Sequence, residues 1–253
     1  IHNRKGDIPG VIGTVPIHLK DEDYGSEGES WHTLIADIGV DSKKKALELI
    51  EIGDPITTKG DYMKLHNPNI LVGRAFDNHI GVFIVSQVMK YFSSVKGKKS
   101  LPVNLLGGFS VQEETGGEGA KMLSYQHQPD AIVIVDTGIT SDTPNIDITK
   151  FGEVSLNKGP MLARAVNEHR QLVSHFRETA KKKKINIQMT APTAGGTNLD
   201  LAFCTRQGIP GMTLIVPGRY IHSPVSMIDK RDVTRTINLL IYALQHFPTN
   251  CCR

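Results

Sequence analysis

VNLLGGFSVQEETGGEG, residues 103–119, joins an apolar run to two adjacent carboxylates, Glu113 and Glu114, and then to a glycine-rich turn. An apolar strand ending in acids and a tight turn is the grammar of an α/β sheet, in which sites gather where strands stop. Adjacent carboxylates repel, and each partly buried one raises the cost of ionising its neighbour unless a proton or cation sits between them. The stretch predicts a strand over 101–111 and leaves open what neutralises its end.

Outward from it the alternation of strands and helices continues. Residues 78–93 carry an apolar period of 3.6 and read as a helix, with Asp77 at or just before its start. GEGAKMLSYQ (117–126) reads as a short helix, and PDAIVIVDTGI (129–139) as a buried strand ending in Asp136. Further on, 165–182 reads as helical, 185–189 as extended, 197–207 as helical, GMTLIVPG (211–218) as a strand and 229–247 as a terminal helix. This order predicts an α/β sheet with helices on both faces. The lysine run 181–184 reads as a solvated helix end.

Residues 1–66 follow a different pattern. GDIPGVIGTVPIHL, WHTLIADIGV and IGDPITTKGDYMKL are short apolar runs broken by Gly, Pro and Asp, which predicts short strands in a small β-rich domain. One helix interrupts them at DSKKKALELIEIG, capped by Asp41 or Ser42, with Ala46, Leu47 and Ile50 as its apolar stripe and Gly53 as its stop. DEDYGSEGES (21–30) reads as an exposed loop. The expected division is a β-rich domain over 1–66 and an α/β catalytic domain over 67–253.

The totals limit the function classes. Among 253 residues, 39% are hydrophobic and 22% charged, and the net charge of +3 is too balanced to suggest a nucleic-acid or anionic-membrane partner. No apolar run reaches the ~20 residues of a membrane helix. Cys204, Cys251 and Cys252 form no spaced framework, which points to a reducing, cytoplasmic setting.

Five residues at element boundaries could meet in one cleft: Asp77, Glu113, Glu114, Asp136 and His222. Each has a bland alternative. Asp77 could cap the following helix, Asp136 could open an Asx-turn, the glutamates could complement a helix dipole, and His222 could be a surface residue. Together they answer the repulsion problem, because a divalent cation among carboxylates removes it, and Asp, Glu and His suit Zn²⁺ or Co²⁺. A water on such a cation is acidified towards pKa ~7 and becomes a nucleophile once a carboxylate takes its proton. Glu113 or Glu114 could be that base.

The segments VGRAFDNHIG, SVQEETGGEGA, VIVDTGITSDTP, GGTNLD and GIPGMTLIVPGRYIHSP, with GVIGTVPIHL and LIADIGVDSKKKALELIEIGD before them, resemble the glutamyl, deblocking and tetrahedral aminopeptidases. These form one family of two-metal exopeptidases, some of whose members carry a cellulase label. The resemblance runs through nearly the whole chain. It implies an aminopeptidase in which Asp77 bridges two metal ions, Glu114 and His222 complete one ion's ligands, Asp136 holds the other, and Glu113 is the general base. The ions would be zinc or cobalt, with manganese also suitable. It further implies peptide substrates, a smaller domain used in dimerisation, and assembly of dimers into homo-oligomers, often dodecamers.

Two departures stand out. The family's remaining ligand is a histidine in an H-x-D pattern, and none of the ten histidines here is followed two residues later by aspartate. The expectation is that the chain begins inside the small domain and lacks the first catalytic strand and helix, leaving the ion held by Asp77 and Asp136 without its imidazole. The second departure is His79, where the family has a basic residue such as arginine. Two other readings compete: a metal-independent glycosidase, disfavoured by one Trp and 6% aromatics, and an inactive subunit kept for assembly.

Overall fold

The computed structural model describes residues 1–13, 34–191 and 195–248 and divides into two compact units, Ile1–Lys59 and Gly60–Arg253. The loop expected at 21–30 lies outside the described residues.

In the first unit the described strands form two antiparallel pairs. β1 (His2–Asn3) pairs with β2 (Gly6–Asp7), and β3 (Val11–Gly13) with β4 (Ile35–Asp37). Helix α1 (Lys43–Leu49) is capped by Ser42, whose hydroxyl accepts the Lys45 N–H at 3.4 Å, while Asp41 pairs instead with Lys45 Nζ at 2.7 Å. His2 ties the unit together, with Nδ1 2.7 Å from Asp7 Oδ1 and Nε2 2.6 Å from Thr57 Oγ1. The apolar core is thin. Helix α1 buries none of its residues, Leu47 of its expected stripe is exposed, and Ile52 is 98% exposed.

The second unit holds β5 (Met63–Lys64), β6 (Ile70–Gly73), α2 (Phe76–Ser93), α3 (Val95–Lys99), α4 (Glu118–His127), β7 (Ile132–Ile139) and α5 (Ile148–Phe151). After these come β8 (Met161–Ala163), α6 (Arg170–Lys183), β9 (Gln188–Thr190), α7 (Leu199–Ala202), β10 (Gly211–Arg219), β11 (Ser226–Asp229) and α8 (Lys230–Gln245). Its strands form a mixed sheet in the order β5-β6-β11-β10-β8-β9, with β7 also paired to β10. β7 runs parallel to β10 and β8 parallel to β9, and the other pairings are antiparallel.

β10 is central because both of its faces are covered. Met212, Leu214 and Val216 enter the main core with Ile84, Val88 and Phe92 of α2, Phe176 of α6 and Leu239 of α8. On the opposite face Leu199 of α7 lies against Gly211, and Ile215 packs with Val154, Met161 and Ala163. Successive strand residues point to opposite faces, so a doubly covered strand reads as a continuous apolar run, as GMTLIVPG does. Fully buried residues such as Leu162 and Leu214 each stabilise the fold by about 1.5–3 kcal/mol relative to leaving them in water. The helices follow their periods: α2 buries Gly81, Ile84, Val88 and Phe92, and α8 is capped by Asp229, which accepts the Arg231 N–H at 2.8 Å. The lysine run ends α6 in solvent, with Lys184 in the left-handed region.

Three local expectations are corrected. Residues 101–111 form no ladder with any described strand, although burial alternates as in a strand: Leu101, Val103, Leu105 and Gly107 are half-buried and the residues between them exposed. Sequence periodicity reports burial, whereas a ladder needs a partner strand. The helix expected over 197–207 is limited to Leu199–Ala202, and Arg206 at φ 55° leaves the helical region. Asp136 lies inside β7 rather than at its end, because the pairing with β10 continues to Ile139.

Candidate metal centre

Asp77 follows β6, which lies between β5 and β11 in the sheet. β6 ends at Gly73, opposite Ser226 of β11, and the chain reaches Asp77 at the start of α2. Asp77 and Asn78 have non-helical dihedrals, and the peptide between them is cis. Asn78, not Asp77, makes the capping bond: its Oδ1 accepts the Gly81 N–H at 2.9 Å, and its Nδ2 donates to Val135 O at 2.8 Å. This leaves the Asp77 carboxylate free of a capping role.

His222 comes from the hairpin between β10 and β11, which the register pair Arg219 and Met227 closes. Glu113 and Glu114 lie in a loop tightened by Gly117 N–H donating to Gln112 O at 2.6 Å and Gly116 N–H donating to Glu113 O at 3.1 Å. They precede the first turn of α4, which begins at Glu118, so they are not the acids that complement its dipole.

These segments bring Asp77, Glu114 and His222 together, each offering a ligand atom within 4.8 Å of the others. His222 Nε2 is 3.3 Å from Asp77 Oδ2 and 3.4 Å from Glu114 Oε2. Ligand atoms each ~2.1 Å from a tetrahedral zinc stand about 3.4 Å apart, so the trio has the spacing and the N/O chemistry of a zinc-type site. Glu113 and Asp136 stand outside this trio.

The surrounding electrostatics point the same way. Burial raises the Asp77 carboxyl above its ordinary range and the charge of Glu114 raises it further, while His222 pulls it down. Burial likewise raises Glu113, followed by repulsion from Glu114 and Asp77. Asp136 is pushed up to about 7, first by burial and then by Asp77, Glu113 and Glu114, against the Thr137 N–H that bonds its Oδ1 at 2.8 Å. A set of acids that resist ionising together is stabilised by bound protons or by a cation. That answers the question posed by the Glu113–Glu114 pair.

Sequence reasoning missed three flanking residues. Asn78 braces α2 against β7, a role readable in principle from the N-x-x-G cap spacing. Asp200 is close enough to raise Glu113, and its carboxylate takes bonds from Thr197 N–H and Asn167 Nδ2. Glu168, buried and bonded to Thr213 N–H at 2.9 Å, is pushed up to about 7 mainly by burial. Glu168 carries no local signal, and Asp200 ends the GGTNLD segment without a role having been read for it. Among the described residues no helix is long and apolar enough to cross a membrane.

The chain resembles known proteins along almost its full length. It is 31% identical to a putative aminopeptidase of Acetivibrio thermocellus, covering 93% of this chain and 68% of that protein. To the lysyl aminopeptidase of Pyrococcus furiosus it is 30% identical over 93% of this chain and 66% of the relative. Its fold superposes on the TET aminopeptidase of a marine-sediment Thaumarchaeota archaeon with a TM-score of 0.92 at 25% identity, over 99% of this chain and 70% of that one. On the TET1 peptidase of Pyrococcus horikoshii, which can assemble into a tetrahedron or a large octahedral shell, the TM-score is 0.78 at 28% identity, over 96% and 69% of the two chains. The chain thus spans about two thirds of the length of these relatives. The family model for M42 glutamyl aminopeptidases matches residues 1–239, and the chain belongs to that family.

Proposed function

We propose that this chain carries the catalytic centre of a metal-dependent aminopeptidase that removes single residues from the N-termini of peptides. The observation that carries the reading is the convergence of Asp77 Oδ2, Glu114 Oε2 and His222 Nε2 at 3.3 and 3.4 Å beside a further raised carboxyl.

Asp77, Glu114 and His222 would hold one divalent ion, zinc or cobalt, and Asp77 with Asp136 would hold a second. Such ions supply Lewis-acid polarisation of the scissile carbonyl and acidify water. The chain's own residues do the rest. Glu113, close to the trio but outside it, takes the proton from the attacking water and returns it to the leaving amine. Its raised pKa brings it nearer to neutrality, where a carboxyl group accepts and donates with less penalty. Asp200 adds negative charge beside Glu113 and helps to keep it basic.

Homo-oligomers assembled from dimers through the small unit agree with the large assemblies named for the Pyrococcus horikoshii relative and with the apolar residues that the unit exposes. A cytoplasmic setting agrees with the cysteine pattern.

The test is release of free amino acid from unblocked peptides, with and without added Zn²⁺ or Co²⁺, by the chain and by Glu113→Gln. The expected result is metal-dependent release that falls by ~10²- to 10⁴-fold in the variant while bound metal is unchanged. A variant that releases amino acid at the parent rate removes Glu113 from the role of base.

A further inference from the structure

We infer that Arg219 is a positioning residue for the metal centre: its paired bonds to Asp142 set the direction of the hairpin that presents His222. The inference rests on the metal reading above.

The His222 ring has little to hold it. Its side chain is 63% exposed, and among the described residues its polar neighbours are Asp77 and Glu114 themselves. The position of the ring is therefore inherited from the backbone. In that backbone Tyr220 (φ 58°) and His222 (φ 59°) both occupy the left-handed region, which is uncommon for residues bearing a Cβ and is favoured here by the contacts around the bend.

Two features hold the hairpin. Within the hairpin, Ser223 Oγ lies 2.6 Å from both Tyr220 O and Val225 O and braces the bend. At its base, Arg219 Nε donates to Asp142 Oδ1 at 3.0 Å and Nη2 donates to Oδ2 at 2.6 Å. Asp142 is itself held by the Leu156 N–H at 3.1 Å. Burial alone would raise the Asp142 carboxyl, but hydrogen bonds led by Arg219 outweigh it and hold it below the usual range.

The location of this fork gives it more than a local role. The last backbone link between β7 and β10 is Thr140 N–H donating to Gly218 O at 3.1 Å. Beyond it the two strands part, β7 having carried Asp136 and β10 leading to His222. The fork closes the first gap after the parting. A planar guanidinium making two parallel bonds fixes direction as well as distance, whereas an ammonium fixes distance alone. Metal ligands tolerate errors of only about 0.2 Å, so a turn of the hairpin base is felt at the imidazole.

The bland alternative is that the pair only anchors the 140–156 segment. The experiment separates the two by titrating the full chain, Arg219→Lys and Asp142→Asn with Co²⁺, following visible absorption, alongside thermal melts in EDTA. Arg219→Lys keeps the charge and loses the fork. We expect it to bind Co²⁺ about tenfold more weakly, with an altered absorption band and an unchanged EDTA melt, and Asp142→Asn to behave alike. Parent-like Co²⁺ affinity and band in Arg219→Lys overturn the inference, whether or not its melt shifts. A loss confined to Asp142→Asn also overturns it, since charge alone would then explain the effect. If the parent chain binds no Co²⁺, the metal reading itself fails, and that result is distinct from either of the others.

Discussion

The imidazole Nε2 of His222 lies 3.3 Å from Oδ2 of Asp77. The contact follows from sheet register, because Ser226, just after the hairpin, pairs with Gly73, just before α2. The register brings the two segments near each other, and the direction of the hairpin sets the final approach of the ring. Removing either proposed ligand should leave the ladder intact while weakening metal binding. His222→Ala is expected to lower Zn²⁺ affinity by two orders of magnitude or more while the far-ultraviolet circular dichroism is unchanged. Calorimetric titration with Zn²⁺ measures this, and undiminished affinity would exclude His222 as a ligand.

Metal binding should release protons. The carboxyls of Asp77, Glu113 and Asp136 are all raised, Asp136 to about 7, so near pH 6.5 the metal-free site retains protons that a cation displaces. Adding Zn²⁺ at pH 6.5 in a weakly buffered indicator should acidify the solution, and Asp136→Asn should reduce the release. A pH-neutral titration would show that these acids are already ionised.

Glu168 should set part of the pH dependence of stability. Its folded pKa, about 7, lies above the ordinary glutamate value of 4.5 expected in the unfolded chain, so the folded state binds more protons between those values. Stability from this group is full below about 4.5 and is lost as pH rises through 7. The loss is roughly 3 kcal/mol. Glu168→Gln, which keeps an acceptor for the Thr213 N–H, is expected to melt higher than the parent at pH 8 and alike at pH 4.5. Equal melting at pH 8 would refute the buried-acid account.

Asn78 joins two elements through one side chain, capping α2 and bonding Val135 O of β7. Asn78→Ala removes a cap and strands a part-buried carbonyl, which should destabilise the protein by about 1–3 kcal/mol. Because the same residue adjoins Asp77, metal affinity should fall as well. Urea unfolding in EDTA reads the first effect and Zn²⁺ titration the second.

The small unit exposes Val11, Ile35 and Ile52, at 68%, 73% and 98%. If these residues meet a second copy, Ile35→Asp should shift the molecule to a smaller species in light scattering, with the melt little changed. An unchanged mass would place the subunit contact elsewhere.

Local order along the chain was enough to find the helices that form at 76–93, 118–127, 170–183 and 230–245, read as 78–93, 117–126, 165–182 and 229–247, and the strands at 132–139 and 211–219, read as 129–139 and 211–218. In each, a repeat of 3.6 or an unbroken apolar run reports which faces are buried, and burial depends mainly on neighbouring residues. Asp77, Glu114 and His222, which the structure brings together, were also legible, as polar residues interrupting apolar runs. Tertiary structure alone decided the rest. The strand-like alternation of 101–108 lacks a described partner, and Asn78 rather than Asp77 caps α2. That Glu114 rather than Glu113 faces His222 and Asp77 was implied by the family resemblance and not by the pattern of the residues themselves. Pairing register and loop direction set these outcomes through contacts between residues distant in the chain, and no local period encodes them.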